Sequence, residues 1–324
     1  MTVKERVLTL LEKNKDISLS GESMARVLSV SRNAVWKSIE TLRSEGYTIE
    51  AGRNKGYRLI SDGGNFSAAG ISALLGEEAK RFDITIEETV TSTNTVLKAM
   101  AEQGEKEGRI LIAREQTAGK GRLGRSFYSP KNSGLYISIL LRPRFNARDA
   151  LYITTAAAAA VSEAIDLVAG VKTEIKWVND IYYKGKKLCG ILTEASIDFE
   201  SGGLHYAVLG IGINVTEMTF PDELSDIAVS LGADKALFAK LSAEIIKRFF
   251  GYYDNIGELR FLSEYRRRSF LIGKRITFTD NEGEKTAEVL DVDEKVRLVV
   301  REDNGNIIKL SSGEVNLVKD GIIR

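Results

Sequence analysis

Gln116-Thr-Ala-Gly-Lys-Gly-Arg-Leu-Gly-Arg-Ser126 is the stretch that decides between folds. Gly119, Gly121 and Gly124 clear side chains away so that backbone N–H groups can approach a ligand, and Lys120, Arg122 and Arg125 stand among them. A glycine-rich loop with three cations suits an anion, most simply a phosphate; the plainer alternative is a solvated basic turn. The spacing satisfies Gly-x-Gly-x-x-Gly, yet the dinucleotide fingerprint also needs a preceding strand, a helix opening at the loop and an acidic residue about 20 positions on. Arg109–Arg114 supplies the strand. Ser126–Pro130 and the alternating run Gly134-Leu-Tyr-Ile-Ser-Ile-Leu-Leu141 follow, so the loop leads into another strand and offers no helix to cap a pyrophosphate. No Gly-Lys-Ser/Thr closes a P-loop either. Any phosphate site here belongs to a different fold.

Downstream, residues 174–194 spell two apolar runs separated by Lys184-Gly185, a hairpin pattern. Asn179 and Asp180 end the first run and Lys187 opens the second. Lys187 can serve as a point charge on a carboxylate or phosphate; alternatively Asn-Asp makes a turn and the lysine points to water. Ala207-Val-Leu-Gly-Ile-Gly-Ile-Asn-Val215 is a buried strand whose Gly210 and Gly212 mark a close approach by a ligand or another backbone. Asn214 inside that run needs a polar partner.

Upstream, Val3, Val7, Leu8 and Leu11 recur at helical spacing. Ser20 caps a short helix to Leu28, Ser31 caps a third helix to about Glu45, and Gly46 stops it. Strands Tyr47–Glu50 and Tyr57–Ile60 flank a basic turn, giving a winged helix-turn-helix. The third helix buries Val35, Ile39 and Leu42 and presents Arg32, Asn33, Trp36 and Lys37 to base edges, while Arg53 and Lys55 on the wing reach phosphates. A three-helix protein-binding module is the rival; the wing favours DNA. Residues 1–60 hold eleven Lys/Arg against seven Asp/Glu, although the whole chain is only +1, so bulk charge does not drive DNA binding.

Ser61-Asp-Gly-Gly-Asn65 is a linker, and strands then alternate with helices: Ile84–Glu88, helix Asn94–Gln103, the strands above, and a long helix from about Ala150 whose Ala156–Ala160 run packs one face against the sheet. Helices fill about 235–270. From Gly273 short strands (Arg275–Phe278, Glu284–Asp291, Arg297–Glu302, Ile307–Leu310) with Asn-Gly and Asp-type turns indicate a small barrel. The fold class is α+β and multidomain, with boundaries expected at 1–62, 63–272 and 273–324; a chain of 324 residues suits two or three domains. The single Cys189 forbids an internal disulfide and suits a reducing cytoplasm, and no apolar run approaches the ~20 residues of a membrane span. Cys189 and the single His205 read as structural rather than catalytic.

Four motifs, in order, resemble the biotin protein ligases: Thr91-Ser-Thr-Asn94, Gly119-Lys-Gly-Arg-Leu-Gly-Arg125, Lys176-Trp-Val-Asn-Asp180 with Lys187-Leu-Cys-Gly190, and Gly210-Ile-Gly-Ile-Asn214. With the N-terminal module, the whole chain resembles the bifunctional type that is both ligase and biotin-operon repressor. The family loop is usually richer in arginine; Lys120 keeps the charge but lacks the planar fork. The resemblance implies a ligase-like mixed sheet with helices, an SH3-like C-terminal barrel, and synthesis of biotinyl-5′-AMP from biotin and ATP before transfer to a lysine of a biotin carboxyl carrier protein. It places Ser92, Thr93, Asn94 and Gln116 at the ureido end of biotin, and Lys120, Gly121, Arg122, Lys187 and Gly190 along its path. Arg122, Arg125, Asn179, Lys187 and Asn214 fall to the nucleotide, with Lys187, Arg122 and Asp180 as the catalytic set. It further implies Mg²⁺ with ATP and no protein-built metal cage, operator DNA and an adenylate-bound homodimer as partners, and no membrane. A lipoate-type ligase and a repressor without ligase activity are the alternatives.

Overall fold

The computed structural model describes residues 2–14, 17–44, 47–52, 56–61, 66–145, 150–197, 203–280 and 283–318. Helix α1 (Val3–Lys13) opens on a capping box: Glu5 N–H donates to Thr2 Oγ1, and Thr2 N–H donates to Glu5 Oε2. Ser20 caps α2 (Gly21–Leu28), and the Ser31 hydroxyl accepts from Ala34 N–H at the head of α3 (Arg32–Ser44). Strands β1 (Thr48–Gly52) and β2 (Gly56–Ser61) form the antiparallel wing. Gly56 has φ +83°, and a Cβ there would lie 2.3 Å from Leu19 O, so only glycine lets the wing close onto the segment before α2. Val7, Leu8, Leu11, Val35, Ile39 and Leu42 share the module's core, as their spacing predicts. Gly46 and the linker residues 62–65 lie outside the described residues.

The linker leads into α4 (Ala68–Leu75), a helix the sequence pattern did not reveal because its apolar residues follow no clear amphipathic stripe. Ala69 joins the DNA module's core while Ile71 and Leu75 join the central one, so α4 is shared between them. The central sheet comprises β3 (Asp83–Glu87), β4 (Arg109–Ala113), β5 (Gly134–Leu141), β6 (Glu174–Lys176), β7 (Asp180–Tyr183), β8 (Lys186–Ile197) and β9 (Leu204–Asn214), in the order β3-β4-β5-β9-β8-β7-β6. Only β3 and β4 run parallel, which makes the sheet mixed. Helix α5 (Thr93–Glu102) covers one face through Leu97 and Ala101, against Leu111, Leu140 and Val208.

The other face carries α6 (Leu151–Ala169), α8 (Leu237–Tyr253) and α9 (Phe261–Arg268), with the short α7 (Asp222–Ser225) in the connection after β9. Among the described residues α6 alone is long and apolar enough to cross a bilayer, but two-thirds of it is buried inside the protein. Ala156–Ala160 are all fully buried. The alanine run therefore has no open side: it lets α8 and α9, as well as the sheet, close around the helix. The expected first run of the 174–194 hairpin is two strands, because Trp177–Asn179 turn β6 back onto β7.

The C-terminal strands β10 (Arg275–Asp280), β11 (Gly283–Val292), β12 (Leu298–Glu302), β13 (Ile307–Leu310) and β14 (Val315–Leu317) make an antiparallel sheet ordered β13-β12-β11-β10-β14. The fifth strand was not apparent from sequence, being three residues long. In place of a separate barrel core, Ile276, Phe278, Val289, Val296 and Val300 share the central core, and Trp177 Nε1 donates to Val296 O across the junction.

Candidate active site

The cationic loop is built by its own backbone. Gly121 N–H donates to Arg125 O, Arg125 N–H to Arg122 O and Phe127 N–H to Gly119 O. Leu123 and Gly124 take left-handed φ of 53° and 76° at the tip. No helix follows beyond a single tight turn at Arg122–Gly124. A Cβ on Gly119 would sit 2.4 Å from Phe127 O, so this glycine serves the loop's packing on itself, not a ligand. Gly121 N–H is likewise engaged, leaving the cations as the loop's main offer to an anion.

Those cations meet the hairpin motif across a cavity of about 180 Å³. Lys120, Arg122, Arg125, Lys176 and Lys187 line it together with Asp180 and Asn179. Arg122 donates to Asn179 Oδ1 at 2.9 Å, and Asn179 Nδ2 in turn donates to Ile191 O, so a buried amide aims the guanidinium. Lys187 Nζ lies 2.7 Å from Asp180 Oδ1, which excludes the reading in which the lysine simply points to water. That oxygen is buried, and the lysine meets it as an ion pair without the alignment of a hydrogen bond. Asp180 lines the same cavity, so the remainder of its carboxylate faces the space beside Lys187.

The opposite end of the cavity is lined by hydrogen-bonding groups. Ser92, Thr93 and Asn94 are buried at the start of α5, and Gln116 Oε1 accepts from Thr93 N–H at 2.8 Å. The Asn94 amide lies over Gly210, where a Cβ would meet Asn94 Oδ1 at 2.2 Å. The Phe127 ring lies over Gly212, where a Cβ would meet it at 2.5 Å. The two strand glycines therefore admit side chains of the protein itself, which corrects the expected approach by a ligand or backbone. Gly190 lines the cavity as well, beside Lys187 and Phe127.

Asn214 is the exception among the residues assigned to the site. It ends β9 opposite Gly134, donates to Val229 O, and is absent from the cavity wall. Its partner is structural, so assignment to the nucleotide loses its geometric support. Conversely, Lys176, Trp177 and Phe127 line the cavity although they were not assigned roles. Burial pushes the Lys176 ammonium below its ordinary range, with Asp180 opposing and Lys187 assisting. Lys176 and Trp177 sat inside a motif already singled out, and their burial was the missing signal. Gly313–Asn316 also line the cavity, with Glu314 paired to Arg125 at 2.7 Å and Asn316 to Lys176. Nothing in the sequence near those residues announces this.

Cys189 is fully buried, and burial drives its thiol far above the ordinary range, so it is no nucleophile. His205 is exposed beside Tyr206. In the N-terminal module Arg32, Asn33, Trp36 and Lys37 are all exposed along α3, Trp36 by 50%. Arg53 and Lys55 lie outside the described residues.

The sequence matches the Biotin/lipoate A/B protein ligase family over residues 86–214, an HTH domain over 3–58 and the Biotin protein ligase C terminal domain over 271–318. It is 39% identical over 232 residues to the bifunctional ligase/repressor BirA of Bacillus subtilis, covering 71% of each chain. With the protein of the same name from Escherichia coli it shares 26% over 307 residues, 92% of each. The biotin protein ligase from Aquifex aeolicus, solved in complex with biotin and ATP, superposes with a TM-score of 0.59 at 28% identity, covering 74% of this chain and 99% of that one. The N-terminal module, the mixed sheet and the C-terminal strands follow one another as the three family matches do, and the chain belongs to the biotin protein ligase family, in its bifunctional ligase/repressor branch.

Proposed function

We propose that the cavity joins biotin to ATP and that the N-terminal module represses transcription under control of the product. The protein is a biotin protein ligase and repressor. The observation that carries the site assignment is one cavity lined both by the hydrogen-bonding groups of Ser92, Thr93, Asn94 and Gln116 and by five cations. Biotin's ureido ring binds at Ser92, Thr93, Asn94 and Gln116, and its carboxylate extends past Gly121, Gly190 and Lys120 toward Arg122 and Lys187. A carboxylate oxygen attacks the α-phosphorus, the bond to pyrophosphate breaks, and biotinyl-5′-AMP forms. Two anions must meet, so Lys187, Arg122, Lys176 and Arg125 lower the barrier by opposing charge on the phosphoryl oxygens and holding the reactants in line. The amine of an acceptor lysine then attacks the anhydride carbonyl and AMP leaves. Asp180, whose carboxylate lines the cavity beside Lys187, orients that amine.

Biotin and ATP are substrates. Magnesium suits this wall only as an ion carried by the phosphates: Asp180 is tied to Lys187 and Glu314 to Arg125, and no cluster of three ligating side chains occurs among the described residues. The acceptor is a biotin carboxyl carrier protein, operator DNA binds along α3, and the adenylate-bound chain acts as a homodimer in the cytoplasm. The division at 1–62, 63–272 and 273–324 separates DNA binding, chemistry and a C-terminal wall. Incubation with ATP, an acceptor domain and either biotin or lipoate tests the reading; biotinyl-AMP and a biotinylated lysine are expected, and transfer of lipoate alone would overturn it.

A further inference from the structure

Behind the hydrogen-bonding end of the cavity lies a continuous row of polar side chains. Lys98 Nζ donates to Glu194 Oε1 at 2.7 Å, and Asn94 Nδ2 donates to Glu194 Oε2 at 3.0 Å and to Leu192 O at 3.3 Å. Asn94 Oδ1 is 2.6 Å from Ser138 Oγ, which is 2.7 Å from Thr93 Oγ1. Thr93 Oγ1 lies 3.1 Å from Gln116 Oε1, on the cavity wall. Ser138 is fully buried, so its single hydrogen goes to one of these neighbours and not to water.

The hydrogens can be ordered from the far end. A carboxylate only accepts, so Asn94 turns its NH₂ to Glu194 and its oxygen to Ser138. That oxygen, 2.6 Å away, requires the Ser138 hydrogen, and Thr93 then gives its own hydrogen to Ser138 at 2.7 Å, the closer of the two oxygens in its reach, in preference to Gln116 Oε1 at 3.1 Å. Thr93 Oγ1 is left with lone pairs alone, beside a Gln116 oxygen fixed by Thr93 N–H and by Gln116 Nε2 donating to Ser129. Two acceptors 3.1 Å apart with no hydrogen between them repel each other, and an N–H placed against them relieves the repulsion. We propose that Glu194, anchored by Lys98, is a positioning residue that sets this hydrogen order, so the cavity selects ligands carrying N–H donors and thereby a ureido ring. The inference rests on the ureido placement given above.

The groups facing Glu194 agree with its acting as a fixed anion. Lys98 and Glu102 approach from α5, Lys120 from the loop and Tyr206 from β9. Burial acts to raise the Glu194 carboxyl, but hydrogen bonds from Lys98 and Asn94 outweigh it and hold it below its ordinary range. Glu194→Gln keeps the shape while reversing the order. The glutamine has one oxygen, Lys98 takes it, and its NH₂ turns the Asn94 amide over. Ser138 then donates to Thr93 and Thr93 to Gln116, which occupies both acceptors.

The test measures KM for biotin and for ATP, and kcat at saturating biotin, in Glu194→Gln and in Glu194→Gln/Lys98→Met. The first should raise the biotin KM about 10- to 100-fold, the cost of one or two mismatched buried hydrogen bonds, with kcat and the ATP KM little changed. The second frees the glutamine oxygen for Asn94 and should restore most of the affinity, a rescue that loss of packing would not give. Biotin methylated on its ureido nitrogens should be rejected by the wild type and much less discriminated against by Glu194→Gln. In Lys98→Met the carboxyl rises, so biotin affinity should weaken as pH is lowered, whereas the wild type stays flat. An unchanged biotin KM in Glu194→Gln, or a double variant no better than the single, overturns the proposal. Undiminished biotin binding in Thr93→Val and Gln116→Leu would instead overturn the ureido placement itself.

Discussion

In the proposed reaction Lys187 and Arg122 divide the charge between them, and each is held differently. Lys187 is tied to Asp180 at 2.7 Å while still half-exposed to the cavity, so it is a preorganised point charge. Lys187→Ala should leave biotin binding moderately weakened and raise the barrier to adenylate formation by roughly 2.7–4 kcal/mol, as when one preorganised charge-stabilising group is lost. Pyrophosphate release in a single turnover measures this, and a near-normal rate would remove Lys187 from the mechanism. Arg122 is aimed by Asn179 and belongs to the loop, so its loss acts on retention of the intermediate as well. Arg122→Ala should still make biotinyl-AMP but release it, and non-specific labelling of bystander lysines, followed by blotting, should increase. An adenylate retained as in the wild type would make the loop purely structural.

At the scale of elements, the helices behind the sheet hold β6 and its turn in place through charge as well as packing. Arg268 on α9, its side chain 7% exposed, donates to Asp166 on α6 and to Thr173 O just before β6. Glu264 receives hydrogen bonds from Arg267 and Arg268, which outweigh burial and hold its carboxyl at about 2 against an ordinary 4.5. A carboxyl lowered on folding contributes stability above its unfolded value and loses it as pH falls through the folded one. Stability should therefore decline from about pH 4.5 toward 2 in the wild type, and Glu264→Gln should flatten that decline while costing roughly 2 kcal/mol at neutral pH. Urea denaturation at several pH values checks it; an unchanged acid limb would show the cluster is not coupled to folding. The same elements show what was legible in sequence. α1, α3 and β5 announce themselves by period, because one face or both meet a single apolar layer. α4 does not, and α6 shows itself as a helix but not how many of its faces are covered, because each is enclosed by more than one neighbour and its apolar pattern has no empty side.

In the whole molecule, α4 joins the DNA module's core to the core that carries the site, and the exposed face of α3 is short. A single winged helix makes few base contacts, so useful affinity requires two half-sites and a dimer. Biotin with ATP should therefore strengthen both self-association and binding to a two-half-site operator, by linkage of ligand to assembly. Sedimentation and operator titration at one fixed salt concentration, with and without both substrates, measure this. Equal operator affinity in the two conditions would separate the ends of the chain.

The sequence alone determined the order of modules, the refusal of a dinucleotide or P-loop fold, and four motifs whose residues assigned to the site, Asn214 excepted, line one cavity. These are local facts: capping, periodicity and glycine spacing act over a few residues, and motifs carry their chemistry wherever the chain takes them. Tertiary structure decided what depends on distant pairs. It brought Glu314 and Asn316 to a wall about 190 and 140 residues away along the chain. It filled the spaces above Gly210 and Gly212 with Asn94 and Phe127, gave Asn214 a backbone partner at Val229, and set Lys98 and Glu194 behind Asn94. Close packing and hydrogen-bond direction arise only when segments remote in sequence share one interior, and no local pattern encodes that meeting.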